Sequence, residues 1–131
     1  MPVTYSIDAD RRMIRTTCSG KVAFQEVIDH LRALERDPAC PDRVNVLLDL
    51  SATETLPESR QVTAVSAELG RTGMIVRFDA CAIVASSDAL FGMMRMFEVM
   101  AQEHFRASRV FRSTAEAEAW LMSQRTIANH A

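Results

Sequence analysis

The chain has 131 residues, 48% of them apolar and 24% charged, with a formal net charge of −2. That size fits one domain (residues 1–125, with a frayed tail over 126–131) around a single core and leaves no room for two. No stretch approaches the ~20 apolar residues of a membrane span, no basic-then-apolar leader opens the chain, and the near-neutral charge argues against a nucleic-acid binder.

Val3, Tyr5 and Ile7 alternate with Thr4 and Ser6, a period of two that predicts a strand. The polar segment Asp8–Arg12 is turn-prone, and Met13–Ser19 predicts a second strand closing a hairpin, punctuated by Gly20. Phe24, Val27, Ile28, Leu31 and Leu34 then recur at helical spacing. Pro38 ends that helix near Asp37, because the residue before a proline is pushed out of the helical region. Val44–Leu50 is almost continuously apolar, the mark of a strand buried on both faces and parallel to a neighbour.

Ser51–Leu56 is expected as a polar loop and Pro57 as a first-turn proline. Val62, Val65 and Leu69 predict a second helix, with Gly70 as its C-cap. Ala80–Ala85 predicts a second buried strand whose small residues allow a helix to approach closely. Ser86, Ser87 or Asp88 caps a third helix spanning about 89–105. Arg109–Arg112 is a short strand, and Ser113 with Glu116 forms a capping box opening a last helix that turns Ala117, Trp120 and Leu121 inward. The resulting order, β-β-α-β-α-β-α-β-α, calls for an α/β fold: a mixed, mainly parallel sheet of four or five strands with crossover helices. No glycine-rich phosphate loop follows a strand, which disfavours a Rossmann or P-loop reading.

Three groups of residues have chemical interest. Asp49 ends the central strand beside Ser51, with Ser59 further along. The carboxyl ends of such strands are where α/β sheets bind ligands and partners, and a serine near a helix start suits a phosphate. The competing expectation is turn chemistry, with Asp49 and Ser51 bonding the local backbone. His30, His104 and His130 have no second ligand at i+3 or i+4, so no metal site is expected, and each is expected at the surface or a helix end. The cysteines at 18, 40 and 81 form no CxxC pair, which excludes a disulfide framework and fits a reducing cytoplasm. Cys81 is expected to be buried, Cys18 half-exposed, and none paired with a base for thiol catalysis.

The third helix is the least ordinary segment. Leu90, Met93, Met94, Phe97, Met100 and Ala101 share one face at ~100° per residue and suffice for the core. Phe91, Met96 and Val99 fall outside it, beside Arg95. Apolar residues beyond a core stripe suit a contact surface for a protein or an apolar ligand.

Val44–Leu50 ending in Asp49-Leu50-Ser51, then a Ser/Thr-containing loop and a helix, resembles the STAS domain of anti-anti-sigma factors. So does the close of the chain, Arg109–Arg112 followed by Ser113-Thr114-Ala115-Glu116-Ala117. The likeness is stronger to a less characterised bacterial branch of that superfamily. Its members share the initial hairpin, a glycine before the first helix, and a small-residue strand. A helix like Phe91-Gly92-Met93-Met94-Arg95-Met96-Phe97 follows, and Val110-Phe111-Arg112 and Ala119-Trp120-Leu121 match the ending. The resemblance implies helices packed about the sheet and action through protein contacts. In the regulatory members a phosphorylated serine is followed by a small pair such as Ser-Gly. The matching region here, Leu56-Pro57-Glu58-Ser59-Arg60, has no glycine, and Ser59 is the positional counterpart.

The expectation is therefore a non-enzymatic, cytoplasmic interaction or regulatory domain without a cofactor. It self-associates as a homodimer or meets a regulatory protein through Phe91, Arg95, Met96 and Val99, with Asp49, Ser51 and Ser59 as a regulatory loop. The alternative is a carrier or sensor of a small apolar or lipid-like ligand held against the third helix. No acid, base, nucleophile and oxyanion set can be assembled for an enzyme.

Overall fold

Alternation of apolar and polar residues makes β1 (Val3–Asp8) and β2 (Met13–Gly20) an antiparallel pair in the computed structural model. The structure describes residues 2–130, and side chains over residues 2–124. β3 (Val44–Thr53) lies between β2 and β4 (Phe78–Val84), parallel to both, and β5 (Ala107–Phe111) pairs parallel with β4. The strand order is β1-β2-β3-β4-β5. The leucine-rich run before Asp49 is thus the middle of the sheet, hydrogen-bonded on both edges. The observed architecture is the mixed α/β sheet in the order the sequence predicts, with five strands and four helices.

α1 (Phe24–Arg36), α2 (Ser59–Thr72) and α3 (Asp88–Ala101) each cross from one parallel strand to the next. Because successive crossovers advance in one direction with one hand, they lie on one face of the sheet. α4 (Thr114–His130) returns across the other face, against β3, β4 and β5. Its backbone stays helical through 126–130, part of the expected tail; Ala131 and the side chains of 125–130, His130 included, lie outside the described residues.

Each face has its own core. Ile14, Leu31, Leu34, Val62, Ile83, Leu90 and Phe97 pack between the sheet and the three helices. Leu47, Ala80, Ala82, Val84, Phe111, Ala117 and Leu121 pack beneath α4. The alternation of β4 divides its small residues, sending Ala80 and Ala82 to α4 and Cys81 and Ile83 to the three helices. At the start of β3 the ladder shifts register against β4, and the buried Asn45 Oδ1 accepts the Ala80 N–H at 2.9 Å. Each large aliphatic side chain so enclosed contributes about 1.5–3 kcal/mol relative to exposure.

Helix starts follow the expected chemistry. Ser87 caps α3 by accepting from Leu90 N, and Ser113 Oγ accepts from Glu116 N. Ala23 offers α1 no side-chain cap, but Glu26 accepts the Ala23 N–H at 2.9 Å. The far ends of α1 and α2 are fastened together. Arg71 spans both oxygens of Glu35 at 3.1 and 2.5 Å, Thr72 donates to Glu35 at 2.9 Å, and Arg71 also reaches Glu68.

Several boundaries depart from the sequence expectation: β4 begins two residues early at Phe78 and β5 two early at Ala107. β3 runs on to Thr53, because Ser19 and Gly20 of β2 pair with Ala52 and Thr53. Pro57 precedes the Glu58 N-cap and so stands outside α2. Gly70 lies inside α2, which ends at Gly73; a Cβ at Gly70 would stand 2.9 Å from the His104 ring, so the glycine serves close approach. α3 stops at Ala101, four residues early, although Phe105 stays buried against Phe78 with ring centroids 5.1 Å apart.

Candidate functional site

The register of β2 against β3 slips beside Cys18: Thr17 faces Asp49, but Ser19 faces Ala52, so β3 holds an extra residue. Thr53 Oγ1 donates to the Cys18 carbonyl at 3.1 Å and secures the slip. Just beyond it, Gly20 adopts a φ of +66°, which a glycine tolerates best, and turns the chain toward α1. That turn is tied to the β3–α2 loop: Glu54 N donates to the Gly20 carbonyl at 2.8 Å and Val22 N to Thr55 Oγ1 at 3.1 Å.

Between these tied loops and the three helices lies a cavity of about 310 Å³ at the carboxyl end of β2 and β3. Cys18, Leu48 and Leu50 form its floor. Phe24 and Val27 of α1, Val62 and Val65 of α2, and Leu90, Met94 and Phe97 of α3 form its walls. Thr53, Thr55, Leu56, Pro57 and Gln61 complete it on the loop side, where Leu56 is 53% exposed. None of these residues is charged. The volume and apolar lining with a few polar groups match small-molecule sites.

The Cys18 thiol is the nucleophilic atom of this cavity. Burial, with the carboxylates of Asp49 and Glu26 adding to it, pushes its pKa up to about 11. It is therefore a neutral thiol at physiological pH. The expectation of a half-exposed Cys18 is overturned, because its side chain points under the helices and is only 5% exposed. Cys81 is buried as expected, with its pKa raised to about 12 by burial.

The residues singled out on α3 do not line the cavity. Val99 is 64% exposed and Arg95 beside it pairs with Glu98 at 3.1 Å. Phe91 and Met96 are half-buried against the core margin, and the Arg112 guanidinium stacks on the Phe91 ring at 4.2 Å. The inner face, Leu90, Met94 and Phe97, meets the cavity instead.

Asp49 and Ser51 bond each other within β3: Asp49 Oδ1 accepts from Ser51 N at 2.9 Å and from Ser51 Oγ at 2.6 Å, while Ser86 Oγ donates to the Ser51 carbonyl. The expected turn is absent at this point because the strand continues to Thr53. Ser59 is exposed at the first position of α2.

His30 is not a surface histidine. It stands 3.0 Å from Thr16 Oγ1, with its ring 5.2 Å from that of Tyr5, and burial lowers its pKa to about 4. Tyr5 in turn donates to Asp37 at 2.7 Å. The amphipathic period hid this, because His30 flanks the core stripe of α1 and is covered by β1 and β2. Among the described residues no cluster of three His, Cys, Asp or Glu side chains could hold a metal ion, and no helix is long and apolar enough to cross a membrane. Neither protein-family models nor curated proteins give a match to this sequence.

Proposed function

We propose that the chain is a non-catalytic, STAS-like binding domain of the cytoplasm that holds a small apolar ligand between α1, α2, α3 and the sheet. The apolar cavity beside the inner face of α3 carries this reading. The element order and the Asp49-Leu50-Ser51 run within the central strand support the STAS-like part. Three unpaired cysteines suit a reducing compartment. A thiol kept protonated by burial favours holding a ligand over attacking one.

A second reading, action through protein contacts, draws on the outward strip of α3. There Val99 stands exposed beside Arg95 and Gly92, flanked by Met96 and Phe91. A two-fold partner or a regulatory protein would cover that strip, with exposed Ser59 open to phosphate at the start of α2. The two readings use opposite sides of one helix.

Native mass spectrometry of protein purified from its own host separates them. A retained non-covalent mass, lost when Val65→Trp fills the cavity, is the expected result. A bare monomer that binds no apolar fluorescent probe would overturn the ligand reading, and a bare dimer would favour the second.

A further inference from the structure

A cavity that binds an apolar ligand also restricts the chemical class of that ligand through its lining, so the class inferred here rests on the ligand reading. The volume of about 310 Å³ corresponds to about ten non-hydrogen atoms, taking ~30 Å³ for each water-sized unit. The deep part offers only carbon and sulfur, from Cys18, Leu50, Val62, Met94 and Phe97, all of them buried. The polar capacity is confined to the rim, where Thr53, Thr55 and Gln61 are half-exposed.

That capacity is small and uncharged. Thr53 spends its proton on the Cys18 carbonyl and keeps lone pairs to accept with. Thr55 Oγ1 accepts from Val22 N and keeps its O–H to donate. Gln61 Oε1 accepts from Glu58 N and keeps its amide protons. A ligand hydroxyl or carbonyl can be met there, whereas a carboxylate or phosphate lacks a cation. Arg60 is already paired with Glu58 at 2.7 Å, and the exposed Lys21 is outnumbered on these loops by Glu26, Glu54 and Glu58. The Ala23 and Glu58 amides at the two helix starts are taken by Glu26 and Gln61. An anion drawn inward would meet only the neutral donors of Thr55 and Gln61, with no positive charge to offset the water it loses.

We propose that the cavity selects an uncharged amphiphile, a hydrocarbon of medium length ending in one neutral hydrogen-bonding group such as an alcohol, aldehyde or ketone. The hydrocarbon lies against Met94 and Phe97, and the polar end sits at Thr53, Thr55 and Gln61. An ionised fatty acid or lipid phosphate is disfavoured by the same walls.

Methyl NMR titrations of the full chain with 1-octanol and with octanoate at neutral pH test this. The expected result is saturable shifts at Val62, Val65, Leu90 and Met94 with octanol, and at least tenfold weaker binding of octanoate. Octanoate binding as tightly as octanol, or tighter, would overturn the neutral-ligand inference and leave the cavity standing as a binding site. Shifts at those methyls with neither compound would overturn the inference and the ligand reading together.

Discussion

The two faces of the sheet are packed by different rules. Under α4 the facing residues are small: Ala80, Ala82 and Ala117 are fully buried, and Leu47, Phe111 and Leu121 close the remaining space. The facing surfaces meet as close-packed layers, where even a methylene is felt. Under α1, α2 and α3 the side chains are longer and the strands slip register at Cys18, and about 310 Å³ stays unfilled at the carboxyl edge. The same strands thus support a closed face and an open one. The difference lies in how many helices must share the surface: one helix can settle to its optimum, whereas three helices tied to successive crossovers cannot all do so.

Substitutions on the two faces should therefore diverge. The largest expected loss is Phe97→Ala, about 3–5 kcal/mol, because a buried aromatic is removed from a wall that already adjoins empty space. Urea melts showing under about 1 kcal/mol would place Phe97 outside the core. Next comes a loss that only the three-helix face shows, on acidification. The folded pKa of His30, about 4, lies below its ordinary 6.5 because burial disfavours the cation. Between those values the unfolded chain takes up a proton that the native chain refuses. Stability is then full above pH 6.5 and falls as the pH drops toward 4, by about 2–3 kcal/mol. Thermal melts of wild type and His30→Gln across that window should converge as the pH falls; parallel curves would remove His30 as the cause.

Ala82→Leu should cost about 1–3 kcal/mol, since the α4 face has no space to receive three more carbons. The contrasting change, Val65→Ile at the cavity wall, should be neutral or stabilising by under about 1 kcal/mol. Equal losses at the two positions, read from chemical denaturation, would abolish the distinction between the faces. The smallest effect on stability, within about 0.5 kcal/mol, is expected of Val99→Lys on the outward side of α3, where the side chain is 64% exposed. Analytical ultracentrifugation then reports whether that side mediates association; an unchanged profile would remove Val99 from any contact surface.

Much of the fold was legible because its cues are local. A run such as Val44–Leu50, apolar on successive residues, has to be covered on both faces, and that alone implies a central strand. Boundaries were less legible where a residue type serves another purpose. Gly70 reads as a helix terminator but makes room for His104, and Phe105 prolongs the apolar period of α3 although it is buried from a turn. The cavity was hardly legible at all. Leu90, Met94 and Phe97 have the spacing of core residues, and they are core residues. Whether a side chain touches another or faces a void depends on the summed volume of Cys18, Leu50, Val62 and Phe97, which are far apart in the chain. The α3 surface residues were readable as lying outside the stripe, but the period gives no sign of which side of the stripe a ligand would prefer.

The clasp of Arg71 on Glu35, with Thr72 and Glu68 beside it, sits at the opposite end of α1 and α2 from the opening. Two rods clasped at their base, and held at their tips only by the loop bonds from Glu54 N and Val22 N, open as forceps do once those bonds give. Admitting a guest larger than the resting space would then pivot the tips apart about that ionic joint, moving Phe24 and Val62 most and Glu35 least.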